Sequence, residues 1–279
     1  MTELGPILIT GCSTGIGAAT AQHLAKKGHT VYATARKIDS LGDSVAAGAH
    51  ALSLDVTDEG SMTDAVNSIV AEHGRIGALV NNAGYGEYGA IEDVSIDKVR
   101  RQFETNVFGL SRMCQLVLPS MREAGAGRIV NIGSMGGRLT FPYGGYYHAT
   151  KHAVEALSDA LRYEVRPFGV KVVLIEPGPI ATEFGNTVSH TLADTLGTQQ
   201  DTSPYLTGSK RMDAMIEGMY KNKLLSVGPQ AVAKTVEKSL TRRSPHARYV
   251  TPVVTRGLIG TRMMMTPRAF DAMLRVVVR

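Results

Sequence analysis

The sequence predicts an α/β protein of one domain, a doubly wound parallel sheet flanked by helices, with a helical extension on the substrate side at its C-terminal end. Three observations carry this. Short apolar runs alternate with longer amphipathic stretches from Ile7 to Glu176. The first run leads through a glycine-rich turn into a helix-forming stretch, and no internal repeat or low-complexity linker divides the 279 residues. Parallel strands joined by helical crossovers of about a dozen residues or more produce this alternation.

Taken in order, the expected strands are Ile7–Thr10, Thr30–Ala35, His50–Leu54, Ala78–Asn81, Arg128–Ile132 and Lys171–Ile175. Gly28 stops the first helix, Thr57 or Asp58 caps the helix of the third crossover, and Pro167 with Gly169 ends a long helix that starts near Gly145. After Glu176 the pattern changes. Pro177–Pro204 is rich in turn and polar residues and reads as irregular, helical periodicity returns over Tyr205–Tyr220 and Gln230–Thr241, and Arg248–Val254 reads as a late strand at the sheet edge. Residues 177–227 are expected to supply the substrate loop and helix, and residues 255–279 a C-terminal tail.

A net charge of +5 comes from 30 basic and 25 acidic residues scattered along the chain, which argues against a nucleic-acid-binding face and suits a polyanionic small ligand. The cysteines, Cys12 and Cys114, form no ligand or disulfide pattern with the eight histidines, so no metal is expected and a reducing, cytoplasmic setting is. Ile7–Ile9 is too short for a secretory apolar core, and no apolar run is long enough to span a bilayer.

The segment Thr10-Gly11-Cys12-Ser13-Thr14-Gly15-Ile16-Gly17 joins the first strand to the first helix. Its amides and the positive helix end point toward one place, where an anion belongs. Gly11 permits the turn, Gly15 lets phosphates approach the backbone, and Gly17 lets helix and strand pack closely. The spacing is Gly-x-x-x-Gly-x-Gly, not the Gly-x-Gly-x-x-Gly of many dehydrogenases.

With this turn the chain resembles the short-chain dehydrogenase/reductase family. The resemblance continues through Asp55-Val56, Asn82-Ala83-Gly84, Asn106, Ser134, Tyr147-x-x-x-Lys151 and Pro177-Gly178, covering about Ile7 to Thr182 in the family's order. It implies a Rossmann-type sheet and cofactor contacts from Ser13, Thr14, Ile16, Asp55, Val56, Asn82, Ala83, Gly84, Tyr147, Lys151, Pro177, Gly178, Ile180 and Thr182. Asp55 would take the adenine end and Asn82 would place the cofactor, although either could instead cap its loop. The second strand ends in Arg36 and Lys37, where an acid would favour NAD. Their charge favours the 2′-phosphate of NADP(H).

Carbonyl reduction needs a hydride and a proton, and alcohol oxidation the reverse. Tyr147 is expected as the acid/base, with Lys151 one helical turn away favouring the phenolate. By resemblance, Lys151 also holds the nicotinamide ribose, Ser134 binds the substrate oxygen, and Asn106 positions a water joining Lys151 to solvent. His148 is left out, because adjacent helical residues point in different directions.

Leu139, Phe141, Tyr143 and Phe184 are the expected substrate contacts, and they favour an apolar alcohol or carbonyl compound. The Gly133-Ser134-x-Gly136-Gly137 stretch and the long C-terminal part resemble the hydroxysteroid and retinol dehydrogenase branch. A 3-oxoacyl thioester or general carbonyl reductase is the enzymatic alternative, and an NADP-binding redox sensor without turnover the non-enzymatic one. The Met263–Met273 tail with its arginines could touch a membrane or cover a lipid substrate, although docking on its own domain or a partner is the stronger expectation. The family resemblance also implies a homodimer or homotetramer through the helices near Val99–Arg122 and Tyr147–Arg166.

Overall fold

The computed structural model describes residues 4–197 and 203–277. Its strands are β1 (Ile7–Ile9), β2 (Val31–Ala35), β3 (His50–Ser53), β4 (Ala78–Asn81), β5 (Gly127–Ile132), β6 (Val170–Pro177) and β7 (Arg248–Thr251). They form one parallel sheet in the order β3-β2-β1-β4-β5-β6-β7. The order reverses between β1 and β4, so crossovers leave on opposite faces there and open a crevice at the strands' C-terminal ends.

Side-chain alternation along the strands builds two cores. Ile7, Ile9, Val31, Ala33, Val80, Val130 and Val173 meet Ala21 and Leu24 of α1 (Gly15–Lys26) and Val232, Val236 and Leu240 of α9 (Pro229–Thr241). Leu8, Tyr32, Leu79, Ile129, Val172 and Leu174 meet Met62 and Ile69 of α3 (Glu59–His73), Met113, Val117 and Met121 of α5 (Leu110–Glu123), and Val154 of α6 (Gly145–Glu164). A strand covered on both faces reads as a near-continuous apolar run, which is why these segments stand out.

The helix limits follow the expected residues. Gly28 and Gly169 adopt positive φ (82° and 73°), and Asp58, not Thr57, caps α3 by accepting the Ser61 N–H at 2.6 Å. Between α4 (Ile96–Phe103) and α5 a π-helical turn, Glu104–Gly109, carries Asn106. Added side-chain bulk at Gly109 would lie 2.4 Å from the Val56 carbonyl oxygen, so this turn runs directly against the loop after β3.

Two expectations are corrected. Within Pro177–Pro204 the chain forms α7 (Phe184–Leu196), burying Val188, Leu192 and Leu196 at four-residue spacing; residues 198–202 lie outside the described part. The late strand stops at Thr251 instead of Val254, because Pro252 has no N–H for the ladder. Helices α10 (Val254–Met264) and α11 (Pro267–Val277) follow, and α2 (Gly42–Ala46) and α8 (Leu206–Lys221) complete the set. Among the described residues no helix is long and apolar enough to cross a membrane.

Candidate active site

A cavity of about 830 Å³ occupies the crevice, its two ends chemically different. One end is the turn between β1 and α1. The Thr10 hydroxyl accepts the Asn82 and Ala83 amides, both at 3.0 Å, while Asn82 Nδ2 donates to the Thr10 and Gly11 carbonyls at 3.0 and 2.9 Å. Asn82 therefore fastens β4 to the turn. Gly17 is where that contact demands glycine: a Cβ would lie 2.2 Å from the Gly11 oxygen and 2.5 Å from Asn82 Nδ2. Gly17 itself supports the turn without lining the cavity, whereas Gly11, Ser13, Thr14, Gly15 and Ile16 line it.

This end fits a dinucleotide. Thr14 caps α1 without a side-chain hydrogen bond, so the first amides of α1 are left for a ligand. Gly15 has φ +61° and presents no side chain to the cavity. Arg36 lines the same end, as do Asp55, Val56, Asn82, Ala83 and Gly84; Lys37 is exposed and outside the lining. Asp55 also holds its own loop, accepting the Thr57 amide and hydroxyl at 2.9 and 2.8 Å. Pro177, Gly178, Ile180 and Thr182 line the middle.

There Ser134, Tyr147 and Lys151 converge from the end of β5 and the first turns of α6. Ser134 Oγ accepts the Gly136 N–H at 2.9 Å. Lys151 Nζ donates to the Ile132 carbonyl at 3.0 Å and lies 5.9 Å from the centre of the Tyr147 ring. Burial pushes the Tyr147 phenol up to about 12, opposed by a hydrogen bond with Ser134, and lowers Lys151 to about 8. Desolvation is the larger of the two effects on Tyr147 and favours the protonated phenol, and the expected lowering by Lys151 is not among them.

Asn106 lies beside this group but not in the cavity lining. Its Nδ2 donates to the Tyr85 carbonyl at 2.8 Å and the Thr150 hydroxyl at 3.1 Å, and its Oδ1 accepts the Tyr85 N–H at 3.1 Å. Both amide hydrogens are taken by protein groups, so Asn106 joins the loop after β4 to α6.

The other end of the cavity is apolar. Phe141 and Phe184 line it, Phe184 with its ring 5.3 Å from that of Tyr147. Leu139 does not: it is buried against Met135 and Ile259. Tyr143 does not either; it has φ +63° and its hydroxyl packs against Gly208 of α8, bracing that helix. Met212, Met215, Ile216, Met219 and Tyr220 of α8 form the wall instead, with Tyr88 and Val188. His148 also lines the cavity. Its Nδ1 donates to the Gly136 carbonyl at 3.1 Å, its Nε2 has no partner, and burial lowers its pKa to about 4, so it is neutral.

Comparison with known proteins agrees with this geometry. The short-chain dehydrogenase profile matches residues 6–193. The chain belongs to the short-chain dehydrogenase family. It is 40% identical over 240 residues to a 3-ketodihydrosphingosine reductase of Bacteroides thetaiotaomicron, covering 86% of this chain and 84% of that one. It is 35% identical over 252 residues to an NADPH-dependent 3-dehydrocapnine reductase of Ornithobacterium rhinotracheale, covering 87% and 86%. A serine dehydrogenase solved in its closed form with NADP+ superposes with a TM-score of 0.75 at 29% identity, covering 89% and 95%.

This short-chain dehydrogenase is accordingly an oxidoreductase of CH–OH and carbonyl groups that binds a nicotinamide cofactor. These relatives do not single out the hydroxysteroid and retinol branch. The residues that sequence reasoning missed are chiefly those of the α8 wall. Met212, Met215, Ile216 and Met219 fall at helical spacing, a signal present in the sequence but equally that of an ordinary core stripe. Arg101 also lines the cofactor end, with nothing in the sequence to separate it from a solvated helix arginine.

Proposed function

We propose that the protein is an NADPH-dependent reductase of a ketone borne on a long, apolar skeleton, and equally catalyses the reverse oxidation of the secondary alcohol. The observation that carries this is the position of Tyr147, buried and protonated, with Ser134 and Lys151 where the polar and apolar ends of one cavity meet.

A nicotinamide cofactor, held by the turn after β1 and by Lys151, would supply the hydride for the carbonyl carbon. Tyr147 gives its phenolic proton to the developing alkoxide, and the Ser134 hydroxyl donates a hydrogen bond to the same oxygen. The charge left on Tyr147 is stabilised by the nearby Lys151 cation. Arg36 makes NADP the preferred cofactor, by pairing with its 2′-phosphate. The unpaired, buried Cys12 and Cys114 suit a cytoplasmic setting.

The skeleton first expected, steroid- or retinoid-like, gives way in this proposal to an extended aliphatic one. Flexible methionines on α8 wall the apolar end and adapt to a chain, and two relatives are named as reductases of 3-ketodihydrosphingosine and of 3-dehydrocapnine. A panel of a long-chain α-amino ketone, a 3-oxosteroid, retinal and a 3-oxoacyl thioester, followed by NADPH absorbance, tests this. The long-chain ketone is expected to give the highest kcat/KM, and preference for the fused-ring or polyene compound would reverse the reading.

A further inference from the structure

The C-terminal helices leave a face that the catalytic reading does not use. Helix α10 is anchored on one side, where Thr255 and Ile259 are buried; Ile259 packs with Met135 and Leu139, and the cavity-wall residues Phe141 and Met219 pack on the same cluster. Its opposite side is bare. Val253 is 71% exposed and Met264 89%, with Val254 and Leu258 also exposed. At about 3.6 residues per turn these four share one side with Gly257 and Thr261, and no charge falls among them.

The rim is cationic. Helix α11 is tied to α10 by Phe270, whose ring centre lies 4.7 Å from the Arg262 guanidinium, and it adds the exposed Met273. Arg256 and Arg262 flank the apolar stripe on α10, and α11 adds Arg268 and Arg275, against the single acid Asp271 among the described residues of these two helices.

We propose that this face docks the protein on an anionic lipid surface, lying in its plane, on the side of α10 opposite the cluster it shares with the cavity-wall residues Phe141 and Met219. The docking stands on the exposed face alone; delivery of substrate from the lipid rests on the proposed substrate class. An apolar stripe with an arginine rim matches the boundary between acyl chains and anionic headgroups. A second copy meeting this face across a two-fold axis would set arginines against arginines, so charge selects lipid over self-association. No described helix is long and apolar enough to cross the bilayer, which makes the contact interfacial.

Flotation of the full chain, without substrate or cofactor, tests the docking with vesicles of phosphatidylcholine alone and of phosphatidylcholine mixed with phosphatidylglycerol. Binding to the mixed vesicles is expected, weaker by about tenfold or more on phosphatidylcholine alone and falling with salt. The double variant Leu258→Glu/Met264→Glu should lose that binding while reducing a water-soluble ketone as fast as the parent. It should also turn over a vesicle-embedded ketone more slowly. Equal flotation of variant and parent, or no binding to mixed vesicles at low salt, would overturn the docking. So would a fall in oligomer mass on light scattering without vesicle binding, which would assign the face to a second copy. Failure of the reductase reading looks different: vesicle binding intact with no NADPH consumed from any ketone.

Discussion

At the scale of single residues, charge and burial decide what each side chain can do. Arg36 lines the cofactor end as an exposed guanidinium, free to pair with a 2′-phosphate. Arg36→Asp is expected to raise the KM for NADPH by about tenfold or more and to lower that for NADH, measured by initial rates with both cofactors. Unchanged NADPH preference would remove Arg36 from that role. His148 gives a pH signature. Its folded pKa, about 4, lies below the usual 6.5 because it is buried. The unfolded chain therefore takes up a proton that the folded chain refuses as pH falls from 6.5 toward 4. The associated stability is complete above 6.5 and lost through that window, at most about 3 kcal/mol. Glu155, raised to about 7 by burial and by Glu176, contributes the opposite slope between about 4.5 and 7. Denaturant titrations of parent and His148→Gln across pH 4–7 isolate the histidine: the variant should lose less stability on acidification.

At the scale of elements, turns and helix approaches hold the site in place. Gly17 admits the Gly11 carbonyl and Asn82 side chain. Gly17→Val should cost about 2 kcal/mol or more of stability and weaken cofactor binding, read by thermal unfolding and NADPH fluorescence titration. The strands were legible because both faces of the sheet are covered, leaving apolar runs such as Ile7–Ile9 and Val170–Ile175 that polar flanks delimit. Helix α7 was not legible, since Gly185, Asn186, Thr187, Ser189 and His190 dilute the stripe of Val188, Leu192 and Leu196. The π turn at Asn106 has no residue signature; it lies where Gly109 closely approaches Val56. Within the site, the Gly turn was readable from the strand and helix that flank it and the Tyr147–Lys151 pair from its one-turn spacing, whereas Ser134 came from the family resemblance; all three side chains line the cavity. Leu139 and Tyr143 could not be told from true lining residues, because tertiary packing alone turns one onto Ile259 and the other against Gly208.

At the scale of the whole molecule, charge clamps and exposed apolar surface link the site to the rest of the protein. Arg248 of β7 holds Glu155 of α6 at 3.1 Å and Glu176 of β6 at 3.4 Å, and Arg138 approaches the same two carboxylates at 3.8 and 3.6 Å. Arg248→Met leaves these buried carboxylates with less countercharge, and should lower stability by roughly 2–3 kcal/mol in denaturant unfolding. Phe108, Leu157, Tyr163 and Phe168 are exposed on the π turn, α6 and the turn after it. They support the proposal of a homodimer or homotetramer through these helices. Light scattering should show a multiple of the 29.8 kDa chain that falls in Leu157→Glu/Tyr163→Glu. The central claim, that a buried and protonated Tyr147 delivers the proton, is tested most directly by Tyr147→Phe. NADPH consumption with a ketone substrate should fall by about 10²–10⁴-fold while NADPH affinity stays within a few-fold of the parent. Turnover close to that of the parent would contradict the account.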